Sequence, residues 1–123
     1  WSKRDPCSMP LEARKYLYDI QQAIELIDGF CADKSFADYQ RDPMLRSAVE
    51  RQFEIVGEAI SRLAQLSPPL AEKLTEYRRI IAFRNILIHA YATIDDRIVW
   101  GVVEGKLPQL RVEVRNLLAT DTD

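Results

Sequence analysis

The chain has 123 residues, 47% of them hydrophobic and 29% charged, with a formal net charge of −2 at pH 7. This length fits one domain that can bury a core without disulfides or metals. The four glycines and six prolines are too few for the many turns of a β-barrel or β-sandwich. We see no membrane span and no signal peptide, so the sequence predicts a cytoplasmic protein without membrane contact.

The two cysteines and the charge balance exclude further classes of site. Cys7 and Cys31 form no CxxC pair, so a metal site or redox motif is not indicated and free thiols are expected. We expect no cofactor. The acidic net charge gives no overall attraction to nucleic acid, so any such ligand must meet a local basic surface.

The sequence predicts a single helical domain over residues 9–118. Residues 1–8 have no periodicity and Met9 follows them, so we expect an expression-derived or disordered leader. Residues 119–123 are expected to be a frayed polar tail. No segment alternates apolar and polar residues as a half-buried strand does.

Two long helices are predicted in the first half of the chain. The first runs from about Pro10 to Phe30, and its apolar residues recur at spacings of three and four. A short helical turn or packed loop is expected over 33–41. The second begins at Asp42-Pro43, a capping residue followed by proline, and ends near Leu66.

Gly57 interrupts the second helix, where glycine destabilises by about 1 kcal/mol relative to alanine. It is either a tolerated helix glycine or a point where another backbone passes closely. The neighbouring Glu58 is, in the simplest interpretation, an exposed carboxylate.

The second half is predicted to contain three helices. Ser67-Pro68-Pro69 indicates the start of a short helix that reaches about Thr75, and the next helix spans about Glu76 to Ala92. Asp95 caps the last helix, whose apolar residues include Ile98. Gly105 and Pro108 lie inside that pattern, so we expect a kink near Lys106. The fold class is therefore all-α, an antiparallel bundle of four to five helices.

One stretch of this bundle breaks the apolar pattern. Arg84, Asn85, His89 and Tyr91 place four hydrogen-bonding side chains in a core-like helix, and His89 is the only histidine. Asn85 and His89 share a helix face, whereas Arg84 and His89 diverge by roughly 140°. A long arginine could reach round, the helix could unwind near His89, or a second copy could complete the site across a two-fold axis.

The residue types in this stretch suit phosphodiester cleavage. A histidine can move protons near neutral pH, and an arginine can stabilise charge that develops on phosphorus. RNA can be cut this way without metal because its 2′-hydroxyl can serve as the nucleophile. Taken singly, each residue is more often structural: a satisfied histidine, a solvated arginine, a packed tyrosine.

The same stretch carries a family resemblance. Arg84-Asn85 followed by His89 resembles the Arg-x4-His signature of HEPN domains, small all-α proteins often found as ribonucleases. Tyr91 extends it to Arg-x4-His-x-Tyr, which resembles the HepT toxins encoded beside the nucleotidyltransferase antitoxin MntA. The similarity covers essentially Met9 to Leu118 and includes further segments: Phe53–Ala59, Phe83, Ile94-Asp95, Val99-Trp100 and Leu107–Leu110.

This resemblance implies a homodimeric, HEPN-like, metal-independent endoribonuclease toxin of a type VII-like toxin–antitoxin pair. By the resemblance, Arg84 and His89 are the catalytic pair at the dimer interface and Asn85 supports them. Glu58 is a polar wall of the cleft. Tyr91 matches the tyrosine that the partner modifies with AMP to silence the toxin. The implied partners are RNA, a second copy of the chain and an MntA-like nucleotidyltransferase.

Two other classes of function stay open at this stage. One is a non-catalytic module that presents a nucleotide or partner site to a nucleotidyltransferase, with Arg84 gripping phosphate. The other is a purely structural dimerisation domain, in which Arg84 and His89 affect stability alone.

Overall fold

The computed structural model describes residues 9–89 and 94–120, and all regular elements in these ranges are helical. They are α1 (Leu11–Cys31), α2 (Phe36–Arg41), α3 (Pro43–Leu66), α4 (Pro68–Ala71), α5 (Tyr77–His89), α6 (Asp96–Gly101) and α7 (Leu107–Thr120). The predicted all-α fold is confirmed. The predicted leader and residues 121–123 of the tail lie outside the described residues.

The long helix α3 is the centre of the bundle, with α1 and α5 packed against it, while α1 also contacts α7. Helices α1 and α7 run antiparallel. Arg14, near the start of α1, donates to the carbonyl oxygen of Leu118 near the end of α7, at 3.5 Å. Asp28, near the end of α1, accepts from Arg111 at 2.5 Å.

The apolar stripe predicted for α1 faces this core. Five of its members are at most 1% exposed, because their spacing keeps them on one side of the helix: Ala13, Leu17, Ile20, Ile24 and Ile27. The last member, Cys31, is a half-buried free thiol, and burial raises its pKa, with a smaller contribution from Asp28.

The predicted start of α3 is confirmed in detail. The carboxylate of Asp42 accepts hydrogen bonds from the backbone N–H groups of Met44 and Leu45, at 3.1 and 3.2 Å. These contacts satisfy two donors that the first turn of a helix leaves unpaired, and Pro43 at the first position needs no partner.

Three boundaries or faces differ from the sequence prediction. The helix expected from Glu76 begins at Tyr77 because Glu76 has a φ of 57°, which an α-helix cannot contain. The short helix expected to reach Thr75 ends at Ala71. Ile98, expected on an apolar face, is 57% exposed because α6 turns Val99 and Trp100 toward the interior.

The predicted interruption of the last helix is a π-helical turn, Val102–Lys106, between α6 and α7. The N–H of Leu107 donates to the carbonyl of Val102, five residues earlier. This wider turn lies directly before Pro108, which has no N–H and crowds the preceding turn of a regular α-helix. In the described part of the chain, no helix is long and apolar enough to cross a membrane.

Gly57 lies where α5 approaches α3 closely. A Cβ added there would overlap the Cβ of Arg84 on α5 and lie 2.6 Å from its Cγ. Of the two interpretations of Gly57, the structure supports the close approach of a neighbouring helix.

We expect Gly57→Ala to destabilise the protein by about 1–3 kcal/mol, because α5 would have to move away from α3. Gly29→Ala is the matched control: it lies in α1, and an added Cβ meets nothing within 4 Å. That control should gain up to about 1 kcal/mol from helix propensity. Urea unfolding followed by circular dichroism measures both. Equal stabilities of the two variants would contradict the close contact.

Candidate functional site

The Arg84 side chain crosses α3 at Gly57 and ends in a network of polar groups. One terminal nitrogen, Nη2, forms an ion pair with Glu58 on α3. The other, Nη1, donates to Asn85 Oδ1 at 2.7 Å. The side chain is 16% exposed, and its Nε is buried without a hydrogen-bond partner among the described residues. The guanidinium is thus fixed in place but keeps some access to solvent.

Glu58 links this arginine to a second one. Its other carboxylate oxygen accepts from Arg62 Nε at 2.8 Å, one turn further along α3. The bond to Glu58 raises the pKa of Arg62, and Tyr16 on α1 contributes less in the same direction. Glu58 is half-exposed, but it bridges two cations and is therefore more than the exposed carboxylate of the simplest interpretation.

His89 is the last residue of α5, and its side chain is exposed. Arg84 shares its helix face with Ile88, and both line one groove, whereas His89 is not part of that lining. Asn85, also exposed, is four residues from His89 and shares its face. The groove lining thus includes Arg84 but not His89, in keeping with the divergence of the two residues on a straight helix.

The groove beside Arg84 has a volume of about 470 Å³ and is open to solvent. Helices α1, α3 and α5 form its walls. Besides Arg84, Ile88 and Glu58 it is lined by eight residues: Lys15, Tyr16, Asp19, Arg51, Glu54, Ile55, Ala59 and Arg62. Tyr91, the predicted modification site, lies outside the described residues.

Apart from Glu58, the residues that α1 and α3 contribute to this groove were not singled out from the sequence. One signal was available on α3, because Arg51, Glu54, Glu58 and Arg62 recur at spacings of three and four. The contribution of α1 had no local signal, since it depends on how two distant helices pack. Among residues 9–89 and 94–120, no group of three His, Cys, Asp or Glu side chains could hold a metal ion.

Comparison with known proteins identifies similar sequences. A family model described as "Ribonuclease HepT-like" matches residues 20–117. A protein of Thermococcus cleftensis described as "Probable ribonuclease HepT" is 35% identical over 104 residues, which are 85% of this chain and 94% of that protein. No solved structure matches the chain.

Two further relatives carry the description "Putative RNase". The one from Methanocaldococcus jannaschii is 33% identical over 115 residues, covering 92% of this chain and 96% of its own length. The one from Caldanaerobacter subterraneus subsp. tengcongensis is 32% identical over 105 residues, covering 85% and 93%. The matches span nearly the full length of these relatives.

The network around Arg84 predicts the effect of removing Glu58. Glu58→Ala leaves a largely buried guanidinium without its carboxylate and should destabilise the fold by about 1–3 kcal/mol. Glu72→Ala is the control, because Glu72 pairs with Arg78 at 3.5 Å where both side chains are more than half exposed. Its loss should cost about 0.5 kcal/mol or less. Thermal unfolding of both variants measures the difference, and equal losses would show that the Arg84 pair is an ordinary surface pair.

Proposed function

Because the chain belongs to the ribonuclease HepT-like family, we propose that it is a metal-independent endoribonuclease that uses Arg84 and His89. The observation that carries this proposal is the position of Arg84, whose guanidinium is held by two side chains beside an open groove. A fixed cation at an accessible surface is what a phosphoryl-transfer site requires. The exposed His89 is free to meet the RNA strand.

The chemistry follows from the two residue types. His89 takes the proton of a ribose 2′-hydroxyl, and the 2′-oxygen attacks the adjacent phosphorus. Arg84 donates to the phosphoryl oxygens, where negative charge develops. The bond to the 5′-oxygen breaks, and that oxygen takes up a proton. The products are a 2′,3′-cyclic phosphate and a 5′-hydroxyl. During these steps Asn85 and Glu58 hold the Arg84 side chain in position.

The divergence of Arg84 and His89 on α5 leads us to propose a homodimer. If two copies of α5 meet at a two-fold axis, Arg84 of one copy can face His89 of the other. An exposed apolar side chain of α5 that lies outside the groove lining supports such a contact: Ile86 is 56% exposed. Each site then needs both chains.

We further propose a cytoplasmic toxin of a type VII-like toxin–antitoxin pair, silenced when an MntA-like nucleotidyltransferase attaches AMP to Tyr91. The support is sequence spacing, because Tyr91 follows His89 by two residues. A bulky anionic group at this position would block and repel RNA.

We expect the purified protein to cleave labelled single-stranded RNA in the presence of EDTA, and His89→Ala to abolish cleavage. Loss of the general base should lower the rate about 10²–10⁴-fold. Arg115→Ala, an exposed cation on α7, is the control and should cleave normally. Gel analysis with end-group detection of the cyclic phosphate measures the outcome. Undiminished cleavage by His89→Ala would remove this residue from the mechanism.

A mixture of two inactive variants tests the shared site. In an equimolar mixture of Arg84→Ala and His89→Ala chains that exchange subunits, about half of the dimers are heterodimers, and one of the two sites in each keeps both residues, so about one quarter of wild-type activity should return. A site built within one chain predicts no recovery. Because Arg84→Ala also removes a packed side chain, circular dichroism must first show that the variant is folded.

Modification of Tyr91 is tested with an MntA-like nucleotidyltransferase and ATP. Intact-mass spectrometry should show addition of adenylate to the wild type and none to Tyr91→Phe, and the modified protein should lose RNase activity. Adenylation of Tyr91→Phe to the same extent would assign the modification elsewhere. Adenylation without any RNase activity of the unmodified chain would favour the non-catalytic module.

A further inference from the structure

We propose that the groove between α1, α3 and α5 binds a single-stranded stretch of RNA beside the cleaved phosphate, with a base on Tyr16 and phosphates on Lys15 and Arg62. This inference rests on the proposed ribonuclease function. It extends the site to residues of α1 and α3 that lie outside the Arg84–His89 motif.

The groove differs in charge from the chain as a whole. The whole chain is acidic, with a formal net charge of −2. The groove nevertheless contains one more cation than carboxylates. Its four cations are Lys15, Arg51, Arg62 and Arg84, and its three carboxylates are Asp19, Glu54 and Glu58. Nucleic acid needs a local basic surface of this kind when the overall charge is unfavourable.

Three arginines of the groove are held in place by two carboxylates of α3. Arg51 binds Glu54 at 3.3 Å and Arg62 binds Glu58 at 2.8 Å. Arg51 and Arg62 lie on the same face of α3, with their Cα atoms eleven residues or about 16 Å apart along the helix axis, and each pairs with a carboxylate that lies between them. Arg84 joins them from α5 through Glu58. A strand that places its reacting phosphate at Arg84 can therefore continue along α3.

The groove has the size of a small-ligand pocket and includes the aromatic side chain of Tyr16. A volume of about 470 Å³ falls in the range of small-ligand pockets, about 300–1,000 Å³. Tyr16 is half-buried and interacts with Arg62. An aromatic ring beside a guanidinium is a suitable platform for an unstacked RNA base. Asp19 and Glu54 can accept hydrogen bonds from base amino groups.

Binding is measured by fluorescence anisotropy on the His89→Ala protein, which does not consume the probe. The probe is a labelled single-stranded RNA of about ten nucleotides. Lys15→Ala and Arg62→Ala should each weaken binding and reduce the slope of log Kd against log salt by about 0.7. Tyr16→Leu should weaken binding about ten-fold, whereas Tyr16→Phe keeps the ring and should bind like its parent.

Arg115→Ala in the same background is the control for net charge and should leave the salt slope unchanged. If wild-type protein cleaves RNA but all groove variants bind like the parent, the groove proposal is overturned and the ribonuclease proposal stands. If wild-type protein does not cleave while the variants lose affinity, the groove binds RNA and the ribonuclease proposal fails. Affinity losses that accompany a shift from dimer to monomer in light scattering would make the groove a subunit contact and overturn the inference.

Discussion

The contact between α5 and α3 at Gly57 is the constraint on which the candidate site depends. Only a residue without a Cβ lets the Arg84 side chain lie directly against α3. The contact fixes the separation of the two helices. It also places the Arg84 guanidinium against Glu58, the residue that follows Gly57 in α3. A glycine in the middle of a long helix, unfavourable by itself, is therefore explained by the position of its neighbour on α5.

The largely buried guanidinium of Arg84 has hydrogen-bond acceptors on neighbouring side chains. A charge removed from water is unfavourable unless hydrogen-bonded partners surround it. Glu58 and Asn85 supply acceptors to Arg84, and Arg62 shares the Glu58 carboxylate. The result is a cation with a defined orientation at the edge of a groove. A flexible surface arginine would lose more conformational entropy on binding a phosphate, so a fixed one is better suited to electrostatic stabilisation.

The two halves of the proposed catalytic pair have opposite environments. Arg84 is largely buried and anchored by α3, while His89 is exposed at the last position of α5. The arginine is thus anchored within the bundle, and the histidine lies at the last residue of α5. In the proposed dimer, Arg84 of one chain faces His89 of the other. The proposed RNA groove extends from Arg84 along α1 and α3.

The sequence by itself determined the helical elements and the chemistry-bearing motif. Apolar periodicity and Asp42-Pro43 capping are local properties, so α1 and α3 were predicted within about a residue of their observed ends. Local patterns failed at Thr75, which the short helix α4 does not reach, and at Ile98, whose exposure depends on how α6 is turned. The 140° separation of Arg84 and His89 also followed from sequence, since it is a property of one helix.

Only the tertiary structure decided the meaning of Gly57 and Glu58. Both sit on α3, yet their role is set by Arg84, which is 26 residues away from Glu58 along the chain. The same holds for Tyr16 and Lys15, which reach the groove because α1 packs against α3. Sequence spacing reports which side chains share a face of one helix. It does not report which faces of different helices meet, because that depends on the packing of the whole core.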